Sequence, residues 1–295
     1  MGAYGSQMPI QQYLTRKDVH MNANDVSFAR SQYLDLLKRS LTNWIHGHEE
    51  FVLVDQPKSK GFFKRAALPT GTFLVRQQPF DPDKRNMGQD WPVPLLAHTM
   101  IGMKRLNNLQ MCIEQIITDD IPGDFIETGV WKGGSTIFMR GALNILGDTT
   151  RNVWVADSFQ GLPPPNTDAY PEDKGDIHYT IDSLRISMEQ VKANFAGYGL
   201  LDDRVKFLKG WFSETLPTAP IERLSLLRLD GDMYESTMDA LKSLYHKLSP
   251  GGYVIVDDFC IPSCRLAVGD FRRDMNIDEE IIEIDGTGVY WRRRQ

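Results

Sequence analysis

The sequence predicts an α/β protein built on a doubly wound, mostly parallel sheet. Two observations carry this. From residue 98 onward, short apolar runs alternate with amphipathic helical stretches, the order that a parallel sheet covered on both faces requires. The runs DFIETG, NVWVADS, RVKFLKG, LSLLRLDGD and GYVIVDD are rich in apolar, β-branched and aromatic residues and close on Gly, Asp or Ser, as strands do.

Taken in order, QYLDLLKRSLTNW (Gln32 to Trp44) spaces Leu34, Leu37 and Leu41 three and four apart, which predicts an amphipathic helix. Residues 55–95 fill with Gly, Pro, Lys and Asp and read as loops with one short hairpin around GTFLV. Residues 1–97 are therefore expected to form a helical and loop extension that packs on the core or on a partner subunit, and 98–295 the α/β domain. That domain opens with a helix carrying Leu106, Leu109, Ile113 and Ile116 on one face, stopped by Pro122 and Gly123. Helices are then expected at GGSTIFMRGALNIL, ISMEQVKANFAGY and YESTMDALKSLYHKL, the last presenting Met238, Leu241, Leu244 and Leu248. EEIIEID and GVYWRR, joined around Gly286 and Gly288, predict a closing antiparallel hairpin. Seven strands result.

The chain has 295 residues, 41% of them hydrophobic and 24% charged, with net charge -6. No basic surplus exists to neutralise phosphates, so nucleic acid is not expected as a partner; the terminal Arg292, Arg293 and Arg294 read as a solvated end. Three cysteines without CxxC spacing suggest neither a disulfide framework nor a zinc knuckle, and point to a reducing cytoplasm. No apolar run reaches the ~18 residues of a membrane span, and no membrane partner is expected.

In IETGVWKGGSTIF, Glu127, Gly129 and Gly133 make ExGxxxG between a strand and a helix. Glycines there let the backbone turn sharply, and the helix N-terminus offers free donors. A Glu at this turn repels a pyrophosphate but suits the amino group of a sulfonium amino-acid cofactor. Asp157, ending the next strand, is placed to accept from ribose hydroxyls. Together they favour S-adenosylmethionine over NAD, with Trp211 and Phe212 as walls for the adenine or as caps of the core.

Further along the same edge of the sheet, Asp230 and Asp232 follow one strand and Asp257 and Asp258 the next. Ligands of doubly wound sheets gather beyond these carboxyl ends. Two carboxylates about 4 Å apart repel by about 4 kcal/mol at an effective dielectric near 20, so the cluster calls for a cation, and oxygen-only ligands favour Mg²⁺ over zinc. Asp257 and Asp258 diverge if both are extended, so the chain must leave the strand there for both to face the site. Individual acids could instead cap the helix near Tyr234, where Glu235 reads as a dipole partner. His46 and His48 lack a third ligand, and His178 lies in a loop within reach of substrate. No GxSxG nucleophile motif occurs. Gln160 to Asp182, long and Pro-rich, is expected to close over the acceptor.

The motifs IETGVWKGGST, ADSFQGLPPP, GWFSETLP, RLDGDMYEST and GGYVIVDDF, in this order, resemble the macrocin O-methyltransferase family of sugar methyltransferases, as do TMIGMKRL and YLDLLKRSLT, over residues 31 to 293. The resemblance implies a class I methyltransferase (Rossmann-like) fold, S-adenosylmethionine, Mg²⁺, and a deoxysugar hydroxyl on an antibiotic or other glycosylated metabolite as acceptor. It also implies a cytoplasmic homo-oligomer. On the matching motifs the cofactor set reads Thr99, Met100, Glu127, Thr128, Gly129, Ser135, Asp157, Ser158, Trp211, Phe212 and Asp230. The resemblance assigns the metal to Asp230, Asp257 and Asp258, and the base to Asp232 or Asp230. Catechol-type methyltransferases resemble the chain less, because Phe259 follows Asp258 where they carry Asn. A catechol-like acceptor and a non-catalytic S-adenosylmethionine-binding protein stand as alternatives.

Overall fold

The computed structural model describes residues 23–53, 74–88 and 93–294. Helix α1 (Ala23–Leu41) starts nine residues before the amphipathic stretch read from sequence and ends three residues sooner, at Thr42 and the left-handed Asn43 (φ 58). Strand β1 (Phe51–Leu53) pairs antiparallel with β2 (Val75–Gln77). The strand expected near GTFLV thus exists, but its partner lies upstream across residues 54–73, which fall outside the described residues. Helices α2 (Pro82–Met87) and α3 (Met103–Thr118) lead into the core.

The core alternates β3 (Asp124–Thr128), α4 (Gly134–Leu146), β4 (Val153–Asp157), α5 (Met188–Gly197), β5 (Val205–Lys209), α6 (Phe212–Thr215), β6 (Leu224–Leu229), α7 (Tyr234–Leu244), β7 (Leu248–Val256) and α8 (Pro262–Asp274), closing with β8 (Ile282–Glu283) and β9 (Val289–Arg292). One seven-stranded sheet results, in the order β5-β4-β3-β6-β7-β9-β8. The first five run parallel, and β9 and β8 antiparallel, as the sequence predicts. Chain order reverses between β3 and β6, so the switch point of the sheet lies there, beyond the strands' carboxyl ends.

Successive residues of the central strands feed opposite faces. Phe125, Val155, Leu226 and Ile255 join Leu34, Leu37 and Leu41 of α1 with α3, α4 and α5; Ile126, Trp154, Leu227 and Val254 join α7 and α8. Helix α1 therefore shares the core of the α/β domain. Gly141 permits that approach: a Cβ there would lie 2.5 Å from Leu37 Cδ2. Leu248 differs from its expected place, because the helix stops at Leu244 and Leu248 opens β7. Helix α8 is an element beyond those read from sequence.

Candidate active site

Each acid is delivered by the end of a strand. Backbone pairing continues one residue past three of them: Gly129 N–H donates to Ala156 O, Asp230 N–H to Thr128 O and Asp257 N–H to Leu229 O, all at 2.9 Å. The strands separate immediately afterwards and leave a cavity of about 540 Å³, a size usual for small-molecule sites. Gly129 is required at its place: with φ 86, a Cβ would fall 1.7 Å from the carbonyl oxygen of Asp230.

The cavity brings together Glu127 and Asp157 with Asp230, Asp232, Asp257 and Asp258. Thr99, Met100, Gly129, Ser135, Ser158, Trp211 and Phe212 line it too. Thr128 does not: it is buried in the sheet, and its hydroxyl donates to Arg228 O at 3.5 Å. His178 and Glu235 also reach the cavity. His46 is exposed on a short helix outside it, and the side chain of His48 lies outside the described set.

Two buried cations organise the acids. Arg228, 1% exposed in the middle of the apolar β6, donates through Nη1 to Glu127 Oε1 and, at 2.7 Å, to Asp230 Oδ2, and through Nη2 to Asp257 Oδ1. Arg105 of α3 donates to Asp257 Oδ2 and, from Nε at 2.7 Å, to Asp285 of the β8–β9 turn. Neither arginine was read from sequence as part of a site. The signal was present in LLRLD, since a guanidinium inside a buried strand demands carboxylates. Its partners come from other strands, however, and sequence spacing does not reveal them.

The chain leaves β7 after Val256, which lets Asp257 and Asp258 both face the site. Oxygens of Asp230, Asp257 and Asp258 lie within 4.8 Å of one another. The guanidiniums occupy both oxygens of Asp257 and one of Asp230, whereas Asp258 has no cationic partner among the described residues and accepts only the Asp232 N–H, at 3.1 Å. Burial, and then the charges of Asp232, Asp230 and Asp257, raise Asp258 far above the usual carboxylate range. Burial and Asp257 push Asp230 up to about 6 against the pull of Arg228; burial and Asp230 push Asp232 up to about 7. A carboxyl-only donor set with this excess of negative charge fits a hard divalent cation.

At the other end, Glu127 Oε2 is buried with no hydrogen-bond partner among the described residues, which fits a cationic amino group. Asp157 accepts Val130 N–H at 2.8 Å and Phe159 N–H at 2.7 Å, and burial raises its pKa. These bonds pin the glycine turn to the end of β4, and the carboxylate stays at the cavity wall, where a ribose hydroxyl can reach it.

The profile of the Macrocin-O-methyltransferase (TylF) family matches residues 30–293. The chain belongs to this family. It is accordingly an S-adenosylmethionine-dependent O-methyltransferase. A 4'-O-methyltransferase of 8-demethyl-8-(2,3-dimethoxy-alpha-L-rhamnosyl)-tetracenomycin-C from Streptomyces olivaceus is 51% identical over 265 residues, 90% of this chain and 93% of the relative. Mycinamicin III 3''-O-methyltransferase of Micromonospora griseorubida is 48% identical, covering 88% and 96%. The solved O-methyltransferase NovP superposes with TM-score 0.77 at 44% identity, over 90% of this chain and all (100%) of that one. No described helix of this macrocin O-methyltransferase relative is long and apolar enough to cross a membrane.

Proposed function

We propose that this enzyme methylates a hydroxyl of a deoxysugar carried by a glycosylated secondary metabolite, with Mg²⁺ held by Asp230, Asp257 and Asp258. The carrying observation is the four aspartates at the ends of β6 and β7, open to the same cavity as Glu127 and Asp157. When bound, Mg²⁺ supplies Lewis-acid polarisation of acceptor oxygens. Glu127 takes the cofactor's amino group and Asp157 its ribose, while Trp211 and Phe212 flank the adenine. Asp232 removes the acceptor proton: it lines the cavity beside Asp258, to which its N–H is donated, and no cation pairs with its carboxylate among the described residues. Such help is worth ~10²–10⁴ in rate, and holding donor and acceptor in line up to ~7–11 kcal/mol. The loop Gln160 to Asp182, within the 160–187 connection between β4 and α5, closes the acceptor side.

Two relatives' names specify rhamnosyl-tetracenomycin and mycinamicin III as substrates, and a third relative, from Streptomyces niveus, is named for demethyldecarbamoylnovobiocin. These three glycosides are the acceptors to test. Calorimetric titration of S-adenosylhomocysteine with Mg²⁺ and with EDTA comes first, then methyl transfer to each glycoside under both conditions. Micromolar cofactor binding and glycoside turnover that EDTA abolishes are expected; full turnover in EDTA removes the metal from the reaction, and turnover of a catechol alone removes the sugar. The homo-oligomer that the family resemblance implies is read by light scattering on the same sample.

A further inference from the structure

The segment 160–187 contributes six residues to the cavity wall: Gly161, Leu162, Pro163, His178, Ile181 and Leu184. Five offer apolar carbon or no side chain, and His178 alone offers polar side-chain atoms. Its ring is held by a purpose-built contact. Asp176 Oδ1 accepts the His178 N–H at 2.8 Å, and Oδ2 lies 2.7 Å from Nδ1. The Asp176 side chain is 8% exposed against 36% for His178, so the carboxylate is the fixed partner and the ring the presented one. A carboxylate at Nδ1 requires the proton on that nitrogen, which leaves Nε2 of the neutral ring with its lone pair free. Nε2 has no partner among the described residues. Burial lowers the ring's pKa, but the Asp176 hydrogen bond and the charges of Asp232 and Asp176 outweigh it and raise the net value.

We propose that His178, oriented by Asp176, is a specificity-determining residue whose Nε2 accepts a hydrogen bond from a deoxysugar hydroxyl other than the one being methylated. The assignment rests on the glycoside reading above. The acids at the strand ends engage the reacting hydroxyl on one side of the sugar. An otherwise apolar wall on the other side accommodates C–H faces and a deoxy methyl group, and one polar contact there fixes the rotation of the ring. That rotation decides which hydroxyl meets the methyl donor.

The test is two-bond ¹H–¹⁵N NMR of the histidine rings in the full chain with S-adenosylhomocysteine and Mg²⁺, His178 being assigned by its loss in His178→Gln. Above the pH at which the ring loses its charge, a free ring protonated on Nδ1 alone is expected, with the proton partly moved to Nε2 in Asp176→Asn. Methyl α-L-rhamnopyranoside, added as the probe, shifts Nε2 of His178 and leaves the other rings unmoved. With whichever glycoside is turned over, His178→Phe raises the acceptor KM by about tenfold, as loss of one hydrogen bond should, leaves the S-adenosylmethionine KM unchanged and mixes the methylated positions; His178→Gln partly restores both. An Nε2–H tautomer in the free protein, a His178 ring unmoved by the probe, or an unchanged acceptor KM in His178→Phe overturns the proposal. Wild-type enzyme that turns over no glycoside while binding cofactor sinks the glycoside reading itself, and this assignment with it.

Discussion

Asp232 holds a left-handed backbone (φ 57), a conformation that Asp tolerates better than most residues, and its N–H is donated to Asp258. Its side chain carries a pH signature with a definite sign. Unfolded, the carboxyl ionises near ~3.9; folded and metal-free, burial and Asp230 keep it protonated up to about 7. Between those values the folded state binds more protons, so this group's contribution to stability falls as pH rises. Asp232→Asn cannot ionise. In EDTA the variant should therefore melt above the wild type at pH 8, by roughly 2–4 °C for each kcal/mol in a chain of this size, with the gap shrinking toward pH 4. A gap of equal size at pH 5 and pH 8 would show that the carboxyl is already ionised in the fold. The same variant should lose about 10²-fold or more in kcat with S-adenosylhomocysteine affinity intact, the mark of a proton acceptor that does not hold the cofactor.

Helix α7 begins without a cap of its own: Met233 stands at the N-cap, and the helix's first donors are satisfied from 61 and 62 residues away, where Asp173 accepts Tyr234 N–H at 2.6 Å and Glu235 N–H at 3.0 Å. The 160–187 segment is thereby tied to the helix that follows Asp232. Asp173→Ala should cost about 1 kcal/mol, as cap removal does, and speed amide exchange through 160–187 as well as at Tyr234 and Glu235. Unchanged exchange in the segment would show that other contacts, such as Trp131 Nε1 donating to Ser183 O, hold it alone. This tie was illegible in the sequence, because a cap contributed by a distant loop leaves no local pattern. The strands and the four aspartates were legible for the opposite reason: burial on both faces writes a continuous apolar run, and the acids sit side by side in sequence where each run ends. Helix α8 escaped reading because its buried face is carried by Cys264, Ala267, Val268, Phe271 and the stem of Arg272, with Gly269 and four further charged residues between and around them.

Across the whole molecule, Arg105 joins three parts of the chain far apart in sequence: the start of α3, the acid after β7 and the turn of the final hairpin. Asp285 is suited to this. Its side chain is fully buried, Oδ2 accepts from Arg105, and Oδ1 accepts from Thr287 N–H, Thr287 Oγ1 and Gly288 N–H. The turn is thus shaped by the same carboxyl that neutralises the arginine, and the arginine in turn holds Asp257 at the candidate metal cluster. Asp285→Ala removes the charge and the turn bonds together and leaves Arg105 buried with one partner, a break of the kind that costs about 3–5 kcal/mol. Asp285→Asn keeps an acceptor for the turn and gives up only the charge, so it should lose less, about 1.5–3 kcal/mol, the worth of a hydrogen bond to a charged group. Urea unfolding should rank wild type above Asp285→Asn and Asp285→Ala last, and in the alanine variant amide exchange should quicken at residues 103–106 and 257–260 as well as in the hairpin. Loosening confined to the hairpin would mean that Asp257 and Arg228 secure the site without help from the C-terminal strands.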